Sequence, residues 1–384
     1  MSKNFLFFSA QYLPTVGGVE RYTYNLAKEL SLAGNRVTIV TSQVDGQLET
    51  EITGDIRIIR LPGFRLLGGR FPVPRHGRDF RRLIRLLKNE QFDLAVIQTR
   101  FYLLSAFGAR FAKRQNIPSI VIEHGTNHFS VGSPILSWVG RVYEHGISCY
   151  LRHLCSHFYG VSQACCDWLA HFGIHAEGKL YNSVNPEDIQ SILSASSESY
   201  REVLHLEDAV IVSYTGRLVP EKGIRKLVAA VEQLRASGSP VQLLVAGDGP
   251  LLEELTTQQH PGVLILGRLN FNHVVALLKD TDIFCLPTDY PEGFPTSVLE
   301  AAACRCYIVT TTRGGSKELI SDESFGAILK NNTVEEIAAA ITQAVSDTAY
   351  RTAAVEKAYH RLCERFTWKQ TSAKLLEITD ALNS

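Results

Sequence analysis

Residues 209–249 read AVIVSYTGRLVPEKGIRKLVAAVEQLRASGSPVQLLVAGDG. AVIVSYTG and VQLLVAGDG are apolar runs of strand length, and GIRKLVAAVEQLRASG between them repeats its apolar residues at helical spacing. Continuous apolar strands that are joined through a helix are typical of a parallel sheet covered on both faces. This stretch therefore predicts an α/β fold.

The same alternation fills the rest of the chain and restarts once. FLFFSA, RVTIVTS, FDLAVIQT and PSIVIEHG are predicted strands of a first series, with helices over VERYTYNLAKELSLAG and near 78–89 and 102–114. Residues 126–180, rich in histidine and aromatic residues, are expected to be mostly helical. The second series continues with GVLILG, DIFCLP and YIVTT. We predict two doubly wound domains, 1–182 and 183–365, and a last helix, 366–384, that crosses back to the first domain.

Composition excludes several classes of protein. The 39 basic and 39 acidic side chains of the 384 residues give zero net charge, so nothing in the overall charge indicates a nucleic-acid partner. The eight cysteines form no CxxC pair, and several lie in apolar runs, which favours reduced, buried thiols in a cytoplasmic protein. No stretch approaches the roughly 20 apolar residues of a membrane-spanning helix.

Three loops carry residues suited to anionic or sugar ligands. Gly17 and Gly18 join the first strand to the first helix, where a backbone can approach an anion closely, although the dinucleotide fingerprint GxGxxG is absent. Arg217 and Lys222 flank the proline loop of YTGRLVPEKG and are candidates for a diphosphate clamp, with solvated loop charges as the alternative.

The third loop is DYPEGFPTSVLE, residues 289–300. Glu292 precedes a glycine turn beside a helix start and is suited to accept hydrogen bonds from sugar hydroxyls. Glu300 is expected in the first helical turn, where Ser297-x-x-Glu300 also matches a capping box, so a purely structural role for Glu300 stays open.

The pattern Glu292-x7-Glu300, with TGRLVPEKG and GGVE upstream, resembles the family-four retaining glycosyltransferases. The resemblance covers essentially the whole chain in the expected order, including VAGDGP, LGRL, GGSKELI and a late helix with tryptophan. It implies the GT-B fold, in which two Rossmann-like domains face each other across a cleft, the first on the acceptor side and the second holding the nucleotide-sugar donor. The chain departs from the family at Arg305 and Tyr307, where members commonly have glycine and proline.

The resemblance also implies roles for individual residues. Arg217 and Lys222 would hold the donor diphosphate, Glu292 the transferred sugar and Glu300 the donor ribose. Gly17 and Gly18 would approach the donor phosphates and the acceptor, and His124 of IEHGT would lie near the donor sugar. The catalytic residues expected on this basis are His124, Arg217, Lys222 and Glu292. The remaining donor-binding residues expected are Arg268, Gly293, Phe294, Pro295 and Thr296.

The predicted activity is transfer of a hexosyl unit from a nucleoside-diphosphate sugar to a hydroxyl of a lipid-linked or cell-surface glycan, in polysaccharide biosynthesis. The same-face, leaving-group-assisted mechanism of the family is expected, because no carboxylate is an evident nucleophile. A nucleotide-sugar epimerase, a glycan phosphorylase and a non-catalytic sugar-binding or lipid-binding paralogue remain alternatives. Neither a metal nor another cofactor is expected: His145, Cys149 and His153 lack a complete zinc ligand set, and the Asp280-Thr281-Asp282 triplet is interpreted as a turn.

One segment is strongly basic. Between Arg65 and Lys88 there are seven arginines and one lysine against a single acid, Asp79, a local net charge of +7. An amphipathic helix with a basic face is either an ordinary solvated element or a patch that holds the protein on anionic lipid. Phe64, Leu66, Leu67 and Phe71 add apolar residues, which favours an enzyme peripheral to the inner face of the cell membrane.

Overall fold

The computed structural model describes residues 2–15, 17–129, 134–196 and 199–384. They form two compact units. Unit 1 comprises Met1–Asn182 together with Trp368–Ser384, and unit 2 comprises Ser183–Thr367. The chain thus leaves unit 1 once and returns to it for its last 17 residues.

Unit 1 is built on a sheet whose strands alternate with helices. Its strands are β1 Asn4–Phe8, β2 Arg36–Ser42, β3 Thr50–Thr53, β4 Ile56–Leu61, β5 Gly63–Leu66, β6 Phe71–Pro74, β7 Leu94–Gln98, β8 Ser119–Glu123, β9 His157–Gly160 and β10 Gly178–Lys179. Its first five helices are α1 Gly18–Leu32, α2 Arg78–Lys88, α3 Leu103–Gln115, α4 Pro134–Leu154 and α5 Gln163–Ala170.

Eight of these strands form the sheet β10-β9-β8-β7-β1-β2-β4-β3, and β5 and β6 pair as a separate hairpin. All neighbours in the sheet are parallel except β3 and β4. From β1 the chain continues to β2 on one side of the sheet, and it later returns to the other side of β1 with β7. The loops after β1 and β7 therefore lie next to each other at a topological switch point. Residues 5–8 are inaccessible to solvent, as expected for a strand covered on both faces.

Unit 2 begins with α6 Pro186–Ala195 and α7 Tyr200–Val203 and then alternates strand and helix. Its other elements are β11 Val210–Thr215, α8 Ile224–Ala236, β12 Val241–Ala246, α9 Leu252–Thr257, β13 Val263–Gly267, α10 Phe271–Lys279, β14 Ile283–Leu286, α11 Thr296–Ala303, β15 Tyr307–Thr311, α12 Ser316–Leu319, β16 Ala327–Leu329, α13 Val334–Ser346 and α14 Thr348–Arg365. The sheet is parallel throughout, in the order β13-β12-β11-β14-β15-β16.

This order is the 3-2-1-4-5-6 arrangement of nucleotide-binding doubly wound sheets. Its switch point lies between β11 and β14. A ligand of such a sheet binds beyond the carboxyl ends of the strands at that point. The loops after β11 and β14 are therefore where a nucleotide site is expected in unit 2.

The last helix, α15 Trp368–Asn383, belongs to unit 1. The Trp368 ring packs edge-on against Tyr22 of α1, with 5.1 Å between ring centres. Thr371 Oγ1 donates a hydrogen bond to the carbonyl of Tyr181 at 3.1 Å, and Lys3 forms an ion pair with Asp380. These contacts fix α15 along α1.

The predicted α/β class with parallel sheets is confirmed, and so are the helices near 78–89 and 102–114. The expectation that residues 126–180 are mostly helical was incomplete, because β9 and β10 extend the sheet there. Strands β3 to β6 and β16 were not predicted. Strands β3, β5, β6 and β16 have only three or four residues each, and β3 and β5 are largely exposed, whereas β4 is a buried strand of six residues that the sequence reading missed. All eight cysteines are free and five of them are buried. Among the helices of the described residues, none is both long and apolar enough to span a membrane.

Candidate functional site

The two loops at the switch point of unit 2 are in direct contact. The Asp289 N–H donates to the carbonyl of Glu221 at 2.7 Å. Gly223, which precedes α8, has a φ of +76°, and a Cβ there would lie 1.9 Å from the carbonyl oxygen of Pro287. Only glycine permits both this conformation and this approach. The close contact places the Arg217–Lys222 loop against the loop that carries Glu292.

Lys222 and Glu292 form an ion pair, and both side chains are largely buried. Thr288 Oγ1 also donates to Glu292 Oε1 at 3.3 Å. The Lys222 ammonium lies 5.5 Å from the centre of the Tyr290 ring, within reach of a cation–π interaction. The structure thus brings together two of the predicted catalytic residues.

Arg217 lies at the start of the same loop and is exposed. Its carbonyl accepts a hydrogen bond from the Tyr214 hydroxyl at 2.8 Å, which anchors the backbone. In the described part of the chain its guanidinium has no carboxylate partner. Arg268, directly after β13, is likewise exposed. Both groups remain available to an anion from solvent.

The backbone around Glu292 is packed tightly against the next loop. Gly314 has a φ of +62°, and a Cβ there would lie 2.7 Å from the carbonyl oxygens of both Glu292 and Gly293. The Gly315 N–H donates to the carbonyl of Gly293 at 3.0 Å. The loop after β15 therefore sets the position of the Glu292–Gly293 turn.

Helix α11 begins without a side-chain cap, since its N-cap residue is Pro295. The first amides of the helix, those of Thr296 and Ser297, come before the first N–H that donates within the helix, and amides at this position are suited to hold an anion. Glu300 is the fifth helical residue and is buried. The expected capping box, and with it the place of Glu300 in the first turn, was wrong, because proline before the helix shifts its start. Glu300 lies on the same face as Thr296, four residues earlier.

The side chain of Phe294 is part of the packed core of unit 2. It is buried and packs edge-on against Phe366, with 5.2 Å between ring centres. A Cβ at Gly315 would lie 2.4 Å from its ring. Any contact of Phe294 with a ligand must therefore come from its backbone.

Asp280 and Asp282 are engaged in structural contacts. Asp280 Oδ2 accepts from the Ser199 hydroxyl at 2.9 Å and from the Arg201 N–H at 3.0 Å. Asp282 Oδ2 accepts from Arg201 Nη2 at 2.9 Å and from the Ile211 N–H at 3.0 Å. The triplet holds α7 against β11, which is a wider role than the turn predicted from the sequence.

In unit 1, Gly17 is the N-cap of α1, and Gly18 is its exposed first residue. A Cβ at Gly17 would lie 2.4 Å from the Glu20 carboxylate, which folds back over the helix N-terminus. Burial raises the pKa of Glu20. Sequence reasoning missed this acid, although it is the last residue of the quoted GGVE motif.

His124 directly follows β8, at the strand end where the sequence placed it. Its Nε2 lies 2.6 Å from Gln98 Oε1, which is an acceptor, so the Nε2–H of His124 donates. The ring packs edge-on against Tyr22, with 4.7 Å between ring centres. Burial lowers the pKa of His124 to about 3. His124 is therefore a fixed neutral donor rather than a titrating base.

A buried ionic network supports the His124 loop. Arg100, which is 1% exposed, donates to Glu123 Oε2 at 2.8 Å and to Glu144 Oε2 at 2.9 Å. Glu123 Oε1 accepts from the backbone N–H groups of His124 and Gly125, both at 2.9 Å. This set was not predicted from the sequence, because its members are spread over 45 positions, from Arg100 to Glu144.

Arg305, where the family commonly has glycine, has a φ of +61°. Its guanidinium pairs with Glu356 and lies 3.9 Å from the centre of the Tyr359 ring. These contacts offset a conformation that costs a non-glycine residue roughly 1–2 kcal/mol. The turn between α11 and β15 is therefore formed with arginine at position 305, where the family commonly has glycine.

The basic segment of unit 1 has the predicted amphipathic form. Helix α2 buries Phe80, Leu83, Ile84 and Leu87, and its basic residues are exposed. Within the described residues of this segment, only Arg82 pairs with carboxylates, those of Glu49 and Asp79. Next to α2 lies a cavity of about 450 Å³, lined in part by Lys88, Arg110 and Arg114 and by Phe107 and Phe111.

The sequence did not reveal an apolar surface on α4. Ile135 is 75% exposed and Trp138 is 65% exposed, and Leu136, Val139 and Val142 are at least half exposed. Tyr143 of α4 packs against Phe71 of the β5–β6 hairpin, at 5.7 Å between ring centres. Exposed Phe64 and Leu66 of that hairpin are thus part of the same side of unit 1.

Two family models match this chain, one in each half. Residues 16–187 match "Glycosyltransferase Family 4" and residues 196–361 match "Glycosyl transferases group 1". The chain belongs to the group 1 glycosyltransferases. The family predicted from the loop motifs is therefore confirmed.

Relatives of this glycosyltransferase align along its whole length. An uncharacterised glycosyltransferase of Methanocaldococcus jannaschii is 24% identical over 389 residues, covering 98% of both chains. The GPI3 subunit of phosphatidylinositol N-acetylglucosaminyltransferase from Saccharomyces cerevisiae is 22% identical, over 97% of this chain and 82% of its own. The crystal structure of Anabaena HepE in complex with UDP superposes with a TM-score of 0.76 and 20% identity, over 99% and 100% of the two chains. The glycosyltransferase shares that GT-B fold.

Proposed function

We propose that this glycosyltransferase takes a hexosyl unit from a nucleoside-diphosphate sugar and transfers it, with retention of anomeric configuration, to a hydroxyl of a lipid-linked or cell-surface glycan. The observation that carries the proposal is the Lys222–Glu292 pair at the switch point of a sheet with nucleotide-binding strand order, in the same loop as the exposed Arg217. The UDP in the HepE complex and the phosphatidylinositol in the name of the yeast relative support both halves of the proposal.

The diphosphate is held by charge. Arg217 offers a fork of donors from solvent, and Lys222 shares its ammonium between Glu292 and the entering phosphates. The free amides of Thr296 and Ser297 add the positive end of α11. These groups are fixed before the reaction, so they stabilise the negative charge that develops on the leaving diphosphate.

The two carboxylates have separate tasks. Glu292 accepts hydrogen bonds from hydroxyls of the transferred sugar, and its packing against Gly314 keeps it in place. Glu300, one turn along α11 from Thr296, accepts from the donor ribose. The predicted donor contacts of Arg268 and of the Gly293–Thr296 backbone complete the part of the site that unit 2 supplies. Gly17 and Gly18 of unit 1 keep the donor and acceptor contacts that the family resemblance implies. His124, a neutral donor, is assigned to the donor sugar.

Retention follows from transfer on one face of the sugar. The acceptor hydroxyl attacks on the face from which the diphosphate departs, and the diphosphate takes up the hydroxyl proton. Positive charge from Arg217, Lys222 and the helix amides serves the leaving group, so the proposed chemistry uses no metal.

The donor is identified with a thermal-shift panel of UDP-, GDP-, ADP- and dTDP-sugars, because a ligand selective for the folded state raises the unfolding midpoint. The preferred donor is then incubated with glycolipid acceptors, and the anomeric proton coupling of the product is read by NMR. Donor binding with a retained product supports the proposal. A product with inverted configuration, or no shift with any donor, contradicts it.

The alternatives give different outcomes in the same assay. An epimerase converts the donor sugar without any acceptor, a phosphorylase requires inorganic phosphate, and a non-catalytic paralogue binds the donor or lipid without turnover. The retained set of Arg217, Lys222, Glu292 and Glu300 favours the transferase.

The protein is further proposed to be cytoplasmic and peripheral to the inner face of the cell membrane. The exposed basic face of α2 attracts anionic headgroups, and the exposed apolar residues of α4 and the β5–β6 hairpin enter the headgroup region. A protein that docks in this way meets lipid-linked acceptors at the surface where they reside.

A further inference from the structure

Three imidazoles from separate segments converge in unit 1. His128 comes from the loop after β8, His145 from α4 and His171 from the end of α5. Their ligand nitrogens all lie within 4.8 Å of one another. We call them the histidine trio. The sequence had placed His145 with Cys149 and His153 along one helix, whereas the fold places it with His128 and His171.

The trio rests on a rigid aromatic base. The buried Phe172 ring lies below all three imidazoles, with centres 5.7 Å from His128, 4.8 Å from His145 and 4.9 Å from His171. Trp168 stacks on His171, 4.8 Å away and nearly parallel. Phe172 is buried whereas His145 and His171 are exposed, so the trio lies at the boundary between the core of unit 1 and its surface.

Glu144 orients one of the three rings. Its Oε2 lies 3.3 Å from His128 Nδ1 and also accepts from Arg100 at 2.9 Å. Because a carboxylate accepts, His128 Nδ1 carries the proton, and Nε2 is the nitrogen whose lone pair is left for a metal. A carboxylate that holds one nitrogen of an imidazole is the usual outer partner of a metal-binding histidine.

His145 and His171 are exposed, and no hydrogen bond holds their ring nitrogens in the described part of the chain. Tetrahedral zinc with nitrogen ligands requires these atoms to lie about 3.3 Å apart. The ligand nitrogens of the trio lie within 4.8 Å of one another, so binding of the ion requires the exposed rings to move toward His128.

We propose that the histidine trio binds one divalent transition-metal ion, with Zn²⁺ as the expected ion. Imidazole nitrogens suit zinc, whereas Mg²⁺ and Ca²⁺ prefer oxygen ligands. Three protein ligands leave the fourth position to water. The ion links the His124–His128 loop to α4 and α5, and it is separate from the proposed metal-independent transfer in unit 2.

The experiment titrates chelator-treated full-length protein with Zn²⁺ by calorimetry and with Co²⁺ by visible absorption. The wild type is expected to bind one Zn²⁺ and to give the absorption of tetrahedral Co²⁺ without a sulfur charge-transfer band. His145→Gln and His171→Gln are each expected to weaken Zn²⁺ binding by roughly 100-fold, and Glu144→Gln by about 10–100-fold.

The exposed His175 of the same unit supplies the matched control, and His175→Gln should bind Zn²⁺ like the wild type. Cys149→Ser tests the thiol one turn along α4 from His145 and should also leave binding unchanged. Because the two trio substitutions lie at the surface, circular dichroism is expected to show folded variants. The proposal is overturned if the wild type binds no stoichiometric Zn²⁺, or if the His145→Gln/His171→Gln double variant binds it with wild-type affinity.

Discussion

Lys222 and Glu292, 70 residues apart, form an ion pair that joins the loop after β11 to the loop after β14. Both loops lie at the switch point of the same parallel sheet, so the pair spans the position at which a nucleotide ligand is expected. The exposed Arg217 forms no ion pair with any carboxylate among the residues that the structure describes. Lys222 therefore stabilises the folded loop as well as facing the proposed ligand, whereas Arg217 is available only to the ligand. Substitutions at the two positions distinguish these roles.

Replacement of Arg217 or Lys222 by alanine is expected to slow transfer by on the order of 10²-fold in each case, through loss of a group that stabilises charge. Only Lys222→Ala should also lower the thermal midpoint without ligand, because Lys222 neutralises the buried Glu292. Steady-state kinetics and differential scanning calorimetry measure the two effects. Lys357→Ala, at an exposed lysine of α14, is the control. Unchanged kinetics in both Arg217→Ala and Lys222→Ala would remove this loop from the donor site.

Glu292→Gln and Glu300→Gln are expected to affect different parts of the donor. Glu292→Gln should abolish most transfer but leave the affinity for the free nucleoside diphosphate nearly intact, since that ligand carries no hexose. Glu300→Gln should lower the affinity for the free nucleoside diphosphate by about tenfold, which corresponds to the loss of one hydrogen bond to a charged group. Calorimetric titration of the nucleotide distinguishes them. The same loss of nucleotide affinity in both variants would contradict the division.

Combined replacement of Arg78, Arg81 and Arg85 by glutamine is expected to weaken binding to anionic vesicles by roughly 100-fold, at about 1 kcal/mol for each charge. Arg82 is left unchanged because it pairs with Glu49. The wild-type interaction should weaken at high salt, since exposed charges are screened within about 10 Å at 0.1 M. Co-sedimentation with anionic and neutral vesicles provides the measurement.

The control for this surface changes three exposed cations of unit 2, Lys330, Lys357 and Arg365, to glutamine. It carries the same loss of charge and should bind vesicles like the wild type. Trp138→Ser should weaken the part of the binding that survives high salt. If the α2 variant and the unit 2 control behave alike, α2 is only a solvated face of the domain.

The His124 imidazole makes the stability of unit 1 depend on pH. Its folded pKa of about 3 lies below the ordinary value of about 6.5, so below pH 6.5 the unfolded chain binds the extra proton. The free energy of unfolding should therefore fall as the pH is lowered, with a contribution from His124 of roughly 2 kcal/mol between pH 7 and pH 5. His124→Gln should remove that contribution.

Tryptophan fluorescence isolates this effect, because all three tryptophans of the chain, Trp138, Trp168 and Trp368, belong to unit 1. Denaturant titrations at pH 7 and pH 5 give the change for wild type and variant, and titration of the other groups cancels in the difference. Parallel pH curves for the two proteins would show that His124 takes up a proton in the folded state.

The sequence predicted the elements whose signal is local. Strands such as residues 5–8 and 283–286 are buried on both faces, so their apolar runs are unmistakable. The hairpin of β5 and β6 and the edge strand β10 were missed, because exposed or very short strands lack such a run. Their pairing partners, rather than their composition, make them strands.

The candidate site shows the same division. The loop positions of Arg217, Lys222 and Glu292 follow from motif and strand order, but the ion pair between two of them depends on the contact of Gly223 with Pro287. Arg100 was overlooked because its burial depends on ion pairs with Glu123 and Glu144, which are distant in sequence and are brought to it only by the fold. The capping box at Ser297 was wrong because the pattern ignored the proline that sets the helix start.

The position of α15 has a consequence for synthesis of the chain. Unit 1 needs Trp368 beside Tyr22, yet the ribosome must first make the whole of unit 2, residues 183–367. At 5–20 residues per second, that interval lasts roughly 10–40 s. Unit 2 is continuous in sequence and can fold as it emerges from the ribosome. The surface of α1 in unit 1, by contrast, stays uncovered until α15 has been synthesised. Chaperone dependence during translation should therefore fall mainly on the domain that is made first.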